Sequence, residues 1–332
     1  MTFDEIRGLA GGFQPARLLL TALDLGVFEA VADRFRTARE VAEDLGLDAR
    51  ATEIAADALA ALGLLDKRRG AYRCSGAARR WLVRASPEYR GEILRHLHNT
   101  WDDWAGLGRT WRTGSPARPG RARHLPSGDD DLRHFICGME NITRELAPRL
   151  AGLLPLDGCR TALDLGGGPG NYSLAFVQRW PRLHVVHFDL PPTSRIARGL
   201  VGGCSGSERI TFVEGDFLRD PLGGPYDLIW ASQIIHMLGE EEVRGLLART
   251  RDALAPGGIL AIHDHFLDPD RTAPPPAALF GVHMLVVTER GRAYALEEVE
   301  AWARQAGLAP GGVLEYGAAP RILLVRKAGR GG

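Results

Sequence analysis

Three observations along this 332-residue chain predict an α/β domain with a mostly parallel sheet, preceded by a smaller helical domain. The first is a short apolar run, Thr161 to Leu165, that ends abruptly in Gly166-Gly167-Gly168-Pro169-Gly170 before helical spacing resumes from Ser173 to Val177. That is the order strand, glycine turn, helix, and it places a ligand crevice at the carboxyl end of the strand. The second is the regular alternation of strand-like and helix-like stretches from there to the C-terminal end, which predicts helices on both faces of the sheet. The third is a front segment of capped helices followed by a short hairpin, the pattern of a winged-helix unit.

In the front segment, Phe13 to Val31 carries apolar residues at helical spacing (Leu18, Leu19, Ala22, Leu23, Val27, Val31). Thr37 with Glu40 forms a capping box that opens a helix ending near Gly46. Asp48 caps the next helix, with Ile54, Ala58, Leu59 and Leu62 inside it and Gly63 at its stop. Leu64 to Lys67, Arg69-Gly70 and Ala71 to Cys74 then read as a hairpin. Residues 81 to 110 continue as helix rich in aromatics, 112 to 131 read as a surface loop, and a long helix runs from Leu132 to Leu154, interrupted near Pro148.

Beyond the glycine turn, His184 to Asp189 is a second strand and Ile210 to Glu214 a third, followed by Gly215-Asp216-Phe217. Tyr226 to Ala231 is a fourth, leading into Ser232 and His236. Leu246 to Leu254 is helical and stops at Pro256-Gly257-Gly258; Ile259 to His263 is a fifth strand. The tail holds a helix from Leu296 to Ala306 and strands near Gly312 to Glu315 and Arg321 to Lys327.

Composition narrows the function. A formal net charge of +0 with 25% charged residues gives no long-range attraction to nucleic acid or to an anionic membrane. On the winged helix, Arg50, Lys67, Arg68 and Arg69 are interleaved with Glu40, Glu43, Asp44, Glu53 and Asp57, so no clean basic face for DNA emerges. Four cysteines, Cys74, Cys137, Cys159 and Cys204, lack metal-binding spacing and read as reduced thiols. There is no apolar run of membrane-spanning length and no basic leader followed by an apolar core, so a cytoplasmic location is expected.

The glycine turn is compatible with two cofactors. A dinucleotide fingerprint needs G-x-G-x-x-G, but position 171 is Asn and the pattern is G-x-G-x-G preceded by Asp164. Taken with the strand ends that follow, these motifs resemble the caffeic acid and acetylserotonin O-methyltransferase family in its bacterial form, over nearly the whole chain. The resemblance implies a Rossmann-like class I methyltransferase domain with a seven-stranded, mostly parallel sheet at 155–328. It also implies a winged-helix dimerisation domain at 1–110, joined by a loop and connecting helix at 111–154. The implied cofactor is S-adenosylmethionine (SAM). Gly166, Gly168 and Gly170 are expected to let backbone approach its methionine portion, and Asp189 to accept from both ribose hydroxyls, with Leu190 also in the cofactor site. Asp216 and Phe217 are expected to flank the adenine, with Ser232 and Thr143 near the methionine end.

The same resemblance makes His236 the general base, since a histidine near pKa ~6.5 can take the proton of a phenol near ~10 as it attacks the methyl carbon. Two departures stand out: Met237 follows the histidine where relatives have Asp, and one of two acidic partners falls at Ala293. Asp264 is then the carboxylate left to hold the ring. His263 and His265 share a strand face but lack an acid-rich oxygen cluster, so no metal is expected. For the acceptor, Phe135 and Met139 match an F-x-x-x-M segment, and Met284 and Thr288 match positions before Gly291. Trp101 and Trp104 are either core residues or an aromatic wall. These residues fit a small aromatic or polyketide-like acceptor bound by a homodimer. Carbon or nitrogen methylation, a non-methylating step by a SAM-binding relative, and a SAM-responsive DNA-binding regulator are the alternatives.

Overall fold

Side-chain caps start α-helices at Thr2, Thr37, Asp48 and Ser75 in the first of the two units, Met1–Trp101 and Asp102–Gly332, into which the chain divides. The computed structural model describes residues 1–117, 128–317 and 320–328, so positions 118–127 of the expected surface loop lie outside the described residues. α1 (Phe3–Gly11) opens on a Thr2 cap. The apolar pattern from Phe13 to Val31 is not one helix but two, α2 (Phe13–Asp24) and α3 (Val27–Ala30). Gly26 separates them with a φ of 78°, a conformation that ends a helix and that only glycine adopts cheaply. After β1 (Arg36–Thr37), α4 (Ala38–Leu45) begins with the expected reciprocal cap, Glu40 Oε2 accepting from the Thr37 N–H at 2.7 Å. Asp48 accepts from the Ala51 N–H at 2.8 Å to start α5 (Ala49–Ala61).

β2 (Leu65–Arg68) and β3 (Ala71–Cys74) form the hairpin. Arg69 and Gly70 both take positive φ, 50° and 78°, as the twist of a two-residue hairpin turn requires. β1 completes a three-stranded antiparallel sheet in the order β1-β3-β2. α6 (Gly76–Leu82) and α7 (Gly91–Asn99) close the unit around Leu23, Phe28, Val41, Leu59 and Tyr72, all at most 2% exposed. Two of the wing's cations are answered from within the unit, Lys67 by Asp57 and Arg73 by Asp66.

The second unit begins with α8 (Trp101–Ala105, whose first residue closes the front unit), α9 (Leu107–Thr113) and the long α10 (Asp129–Ala151), with Pro148 in its last turn. The sheet follows as β4 (Thr161–Leu165), β5 (His184–Asp189), β6 (Ile210–Glu214), β7 (Tyr226–Ser232) and β8 (Leu254–Asp264). It ends with β9 (Leu308–Leu314) and β10 (Arg321–Lys327). Between strands lie α11 (Asn171–Arg179), α12 (Pro191–Val201), α13 (Glu240–Ala253), α14 (Pro275–Val287) and α15 (Leu296–Gln305).

The seven strands run in the order β6-β5-β4-β7-β8-β10-β9, with β10 antiparallel to both neighbours and the remaining pairs parallel. The chain order reverses between β4 and β7, and at such a switch point the carboxyl ends of the strands open a crevice. Central strands are buried on both faces: Leu163, Leu165 and Ile229 enter one core, while Ala162, Leu228 and Trp230 enter the other. Pro256-Gly257-Gly258 does follow the helix end at Ala253, but it lies within β8 rather than in a free turn, and the β7–β8 register shifts there. Among the described residues no helix is long and apolar enough to cross a membrane.

Candidate active site

The floor of the crevice is built by three buried polar side chains under the glycine turn. Asp164, 1% exposed at the end of β4, accepts from the Ser173 N–H at 3.0 Å and the Ser173 hydroxyl at 2.6 Å. The strand is thereby tied to the first turn of α11, where a carboxylate is favoured by the helix dipole. Burial pushes the Asp164 carboxyl up to about 6 against those hydrogen bonds. His187, fully buried on β5, reaches the Gly168 carbonyl with Nε2 at 3.3 Å. A Cβ on Gly167 would stand 2.6 Å from the His187 ring and 3.1 Å from the Asp164 carboxyl carbon, so the turn lies directly on these two side chains.

Asp189 ends β5 and fixes the other side of the turn. Its Oδ2 accepts from the Gly168 N–H at 2.8 Å and its Oδ1 from the Leu190 N–H at 2.7 Å. Each oxygen keeps a further lone pair for a ligand hydroxyl. Burial raises its pKa above the ordinary carboxylate range, with His187 and the two N–H groups pulling the other way.

A cavity of about 950 Å³, counting its open mouth, rises above this floor. Of the nine residues expected to hold a cofactor, Gly166, Gly168, Asp189, Leu190, Asp216, Phe217, Ser232 and Thr143 line it. Gly170 does not: with φ 84° it starts α11, and its Cα faces Val201. Phe135 and Met139 of α10, expected to meet an acceptor, line the same cavity. Among the described lining residues are three carboxyl groups and no lysine or arginine. Such a wall offers no side-chain cation to a pyrophosphate and favours a ligand carrying positive charge.

The sequence reading missed Tyr172, Thr193 and Gln233, which also line the cavity. Thr193 Oγ1 and Gln233 Nε2 are buried without a hydrogen-bond partner, although unpaired buried polar atoms are costly. The Tyr172 hydroxyl makes no well-formed hydrogen bond, while Ser232 is close enough to temper the rise that burial gives its pKa. Gln233 takes φ 57°, outside the range that non-glycine residues usually occupy. No local pattern in the sequence marks these three, because strand and helix ends bring them together.

His236 and Asp264 meet beside this cavity and outside its wall. His236 sits in a helical turn, Ile235–Met237, directly after β7, between the lining residues Ile234 and Met237. Its Nδ1–H donates to Asp264 Oδ1 at 2.8 Å, with both residues at most 4% exposed. The Asp264 oxygens also accept from the His265 N–H at 2.7 Å and the His236 N–H at 3.4 Å. Burial raises the Asp264 carboxyl, but the charge and hydrogen bond of His236, with the His265 contacts, outweigh it and hold it below the usual range. Nε2 of His236 makes no hydrogen bond among the described residues, so the ring is oriented with one nitrogen left to accept a proton.

Phe280 of α14 meets the His236 ring edge-on at 4.7 Å and stacks on His265 at 4.2 Å. Burial lowers the pKa of His265 and takes that of His283 down to about 4, so both rings are held toward the neutral form. Trp104 donates its indole N–H to His283 at 3.1 Å; Trp101 lies in the front unit under the Arg17 guanidinium. Met284 and Thr288 lie outside the cavity wall. Met284 is fully buried with Val286 and Val287, and Thr288 is spent on hydrogen bonds to the Met284 carbonyl and Gly291 N–H. Ala293 packs against Gly281, so α14 closes over the position where a second acid was looked for. Among the described residues no three metal-ligating side chains converge.

Residues 126–309 match the family model for the O-methyltransferase domain, and residues 8–84 match that for the O-methyltransferase dimerisation domain. The chain is 33% identical to 3-hydroxy-5-methyl-1-naphthoate 3-O-methyltransferase of Streptomyces sahachiroi, over 90% of this chain and 87% of that protein. It is 31% identical to the tetracenomycin polyketide synthesis 8-O-methyl transferase TcmO of Streptomyces glaucescens, over 91% and 90%. Human N-acetylserotonin methyltransferase, solved in complex with SAM, superposes with a TM-score of 0.87 at 25% identity, covering 98% of this chain and 97% of that one. The chain belongs to the O-methyltransferase family and is a SAM-dependent methyltransferase that carries the family's dimerisation domain.

Proposed function

We propose that the enzyme methylates a phenolic hydroxyl of a small aromatic or polyketide-like metabolite, with His236 as general base. The observation that carries this reading is the buried 2.8 Å contact between His236 Nδ1 and the low-pKa carboxylate of Asp264, with Nε2 free of hydrogen bonds among the described residues. An oriented imidazole beside an ionised carboxylate can take a proton and be stabilised as imidazolium. When bound, SAM supplies an electrophilic methyl group on a sulfonium.

The protein's own part is alignment and proton acceptance. Asp189 accepts hydrogen bonds from ribose hydroxyls, and the Gly166–Gly168 backbone offers a close approach to the ligand. Asp216 and Phe217 flank a base, and Thr143, Leu190 and Ser232 complete the wall. The carboxyl-rich lining, the lack of lysine or arginine among the described lining residues and the unpaired Thr193 and Gln233 atoms support a cationic nucleoside ligand there. Phe135 and Met139 give the apolar, adaptable surface that a flat acceptor fits. The names of the two Streptomyces relatives, a naphthoate and a polyketide methyltransferase, point the same way.

The protein acts as a homodimer in this reading. α1 has no buried residue and exposes Phe3, Ile6 and Leu9 at 77%, 50% and 72%, an apolar face suited to a second copy. The working division is 1–110 for dimerisation, 111–154 for connection and 155–328 for SAM. Incubating the pure protein with SAM and a panel of hydroxynaphthoates and polycyclic phenols tests the proposal. An O-methylated product with matching S-adenosylhomocysteine supports it, and transfer to carbon or nitrogen alone overturns it.

A further inference from the structure

A chain of hydrogen bonds leads from the cavity wall into the sheet. Ser232, at the end of β7, places its Oγ 2.8 Å from Nδ1 of His263, and Nε2 of the same ring meets the Tyr316 hydroxyl. His263 is 1% exposed, stacked on Trp230 at 5.5 Å and met edge-on by Tyr172 at 6.1 Å. Burial drives its pKa down to about 3, so the ring is neutral and has one donor and one acceptor nitrogen. Of the two hydroxyls it touches, the phenol is the stronger donor and the weaker acceptor. Tyr316 therefore donates to Nε2, and the remaining ring proton sits on Nδ1 and goes to Ser232. With its lone pair so engaged, the Ser232 hydroxyl turns its own proton toward the cavity, beside the under-satisfied Tyr172 hydroxyl.

We infer that Tyr316 and His263 are positioning residues that fix Ser232 as a hydrogen-bond donor to the bound methyl donor. The inference rests on the proposed placement of Ser232 in the SAM site. It assigns a role to a histidine that makes no hydrogen bond to Asp264 among the described residues, and to a tyrosine in the segment between the last two strands. With the opposite tautomer, Ser232 spends its proton on His263 and offers the ligand only lone pairs.

The test uses S-adenosylhomocysteine as probe, with affinity by calorimetry on the full-length protein. Tyr316→Phe removes one hydroxyl and is expected to weaken binding about 2- to 12-fold, the range of one neutral hydrogen bond. Ser232→Ala is expected to weaken it at least as much, and adding Tyr316→Phe to Ser232→Ala is expected to change nothing further. Nitrogen-15 spectra of the His263 ring are expected to show the proton on Nδ1 in the parent protein and to move toward the other tautomer in Tyr316→Phe. A proton found on Nε2 in the parent protein overturns the inference. So does undiminished affinity in Tyr316→Phe alongside a loss in Ser232→Ala. Full affinity in Ser232→Ala overturns the placement of Ser232 itself and the relay with it. No binding by the parent protein would instead defeat the assignment of the cavity.

Discussion

Replacing Asp264 by Asn probes the proton acceptor without removing it. Asn retains one oxygen, which on the Oδ1 side keeps the 2.7 Å bond from the His265 N–H and gives up only the long 3.4 Å contact of the His236 N–H. What is lost is the charge facing His236 Nδ1 across 2.8 Å in a site where both residues are at most 4% exposed. A hydrogen bond to a charged group contributes roughly 1.5–3 kcal/mol, which corresponds to a fall of about 10- to 150-fold in kcat. The amide can also turn its NH2 toward Nδ1, which selects the tautomer with its proton on Nε2 and blocks acceptance there. The assay is S-adenosylhomocysteine release with the best phenol of the panel, beside SAM affinity by calorimetry. Affinity should stay within about twofold, because neither residue lines the cavity. His236→Ala should lose about 10²- to 10⁴-fold, and the double variant little more, since the two act as one unit. A kcat within about twofold of the parent in Asp264→Asn would refute the reasoning.

Other expectations concern the cofactor floor. Asp189→Ala removes the acceptor for the Gly168 and Leu190 N–H groups and should weaken SAM binding by about 10-fold or more; unchanged affinity overturns the ribose role. Gly167→Ala drives a methyl group into the fully buried His187 ring and should cost about 1–3 kcal/mol in denaturant unfolding, together with SAM affinity. Asp164 has a folded pKa of about 6, above its unfolded value near ~3.9, so the native state binds the extra proton between those values. Its contribution to stability therefore rises as pH falls from about 7 to 4, and Asp164→Asn should remove that part of the pH dependence. Equal pH slopes in the two proteins, measured by urea unfolding, contradict the assignment.

The strands were legible because central parallel strands must be apolar on both faces, as Thr161–Leu165 and Tyr226–Ser232 are. The capping box at Thr37 and the cap at Asp48 were legible for a local reason: each is completed within three residues. Where one glycine overrode a continuous apolar pattern, at Gly26, periodicity alone merged two helices. Pro256-Gly257-Gly258 carried the composition of a turn, yet neighbouring strands drew it into β8. α12 was hidden because its Pro191-Pro192 start looks like a strand end, although proline is well suited to a helix's first turn. In the site, residues next to glycine turns and strand ends stood out in the sequence. Tyr172 and Gln233 did not, because elements far apart in sequence bring them to the cavity, and Tyr316 did not, because it meets His263 of β8 only in the fold. Met284 and Thr288, matched by resemblance to acceptor positions, are buried at the end of α14 and do not line the cavity beside β4 and β7.

Calorimetric titration of the purified chain with S-adenosylhomocysteine and with a dinucleotide tests the central claim most directly. The account predicts one saturable site per chain for the former, weakened by Asp189→Ala and unaffected by Asp264→Asn, and none for the latter. Tight dinucleotide binding, or no binding of S-adenosylhomocysteine, would contradict it.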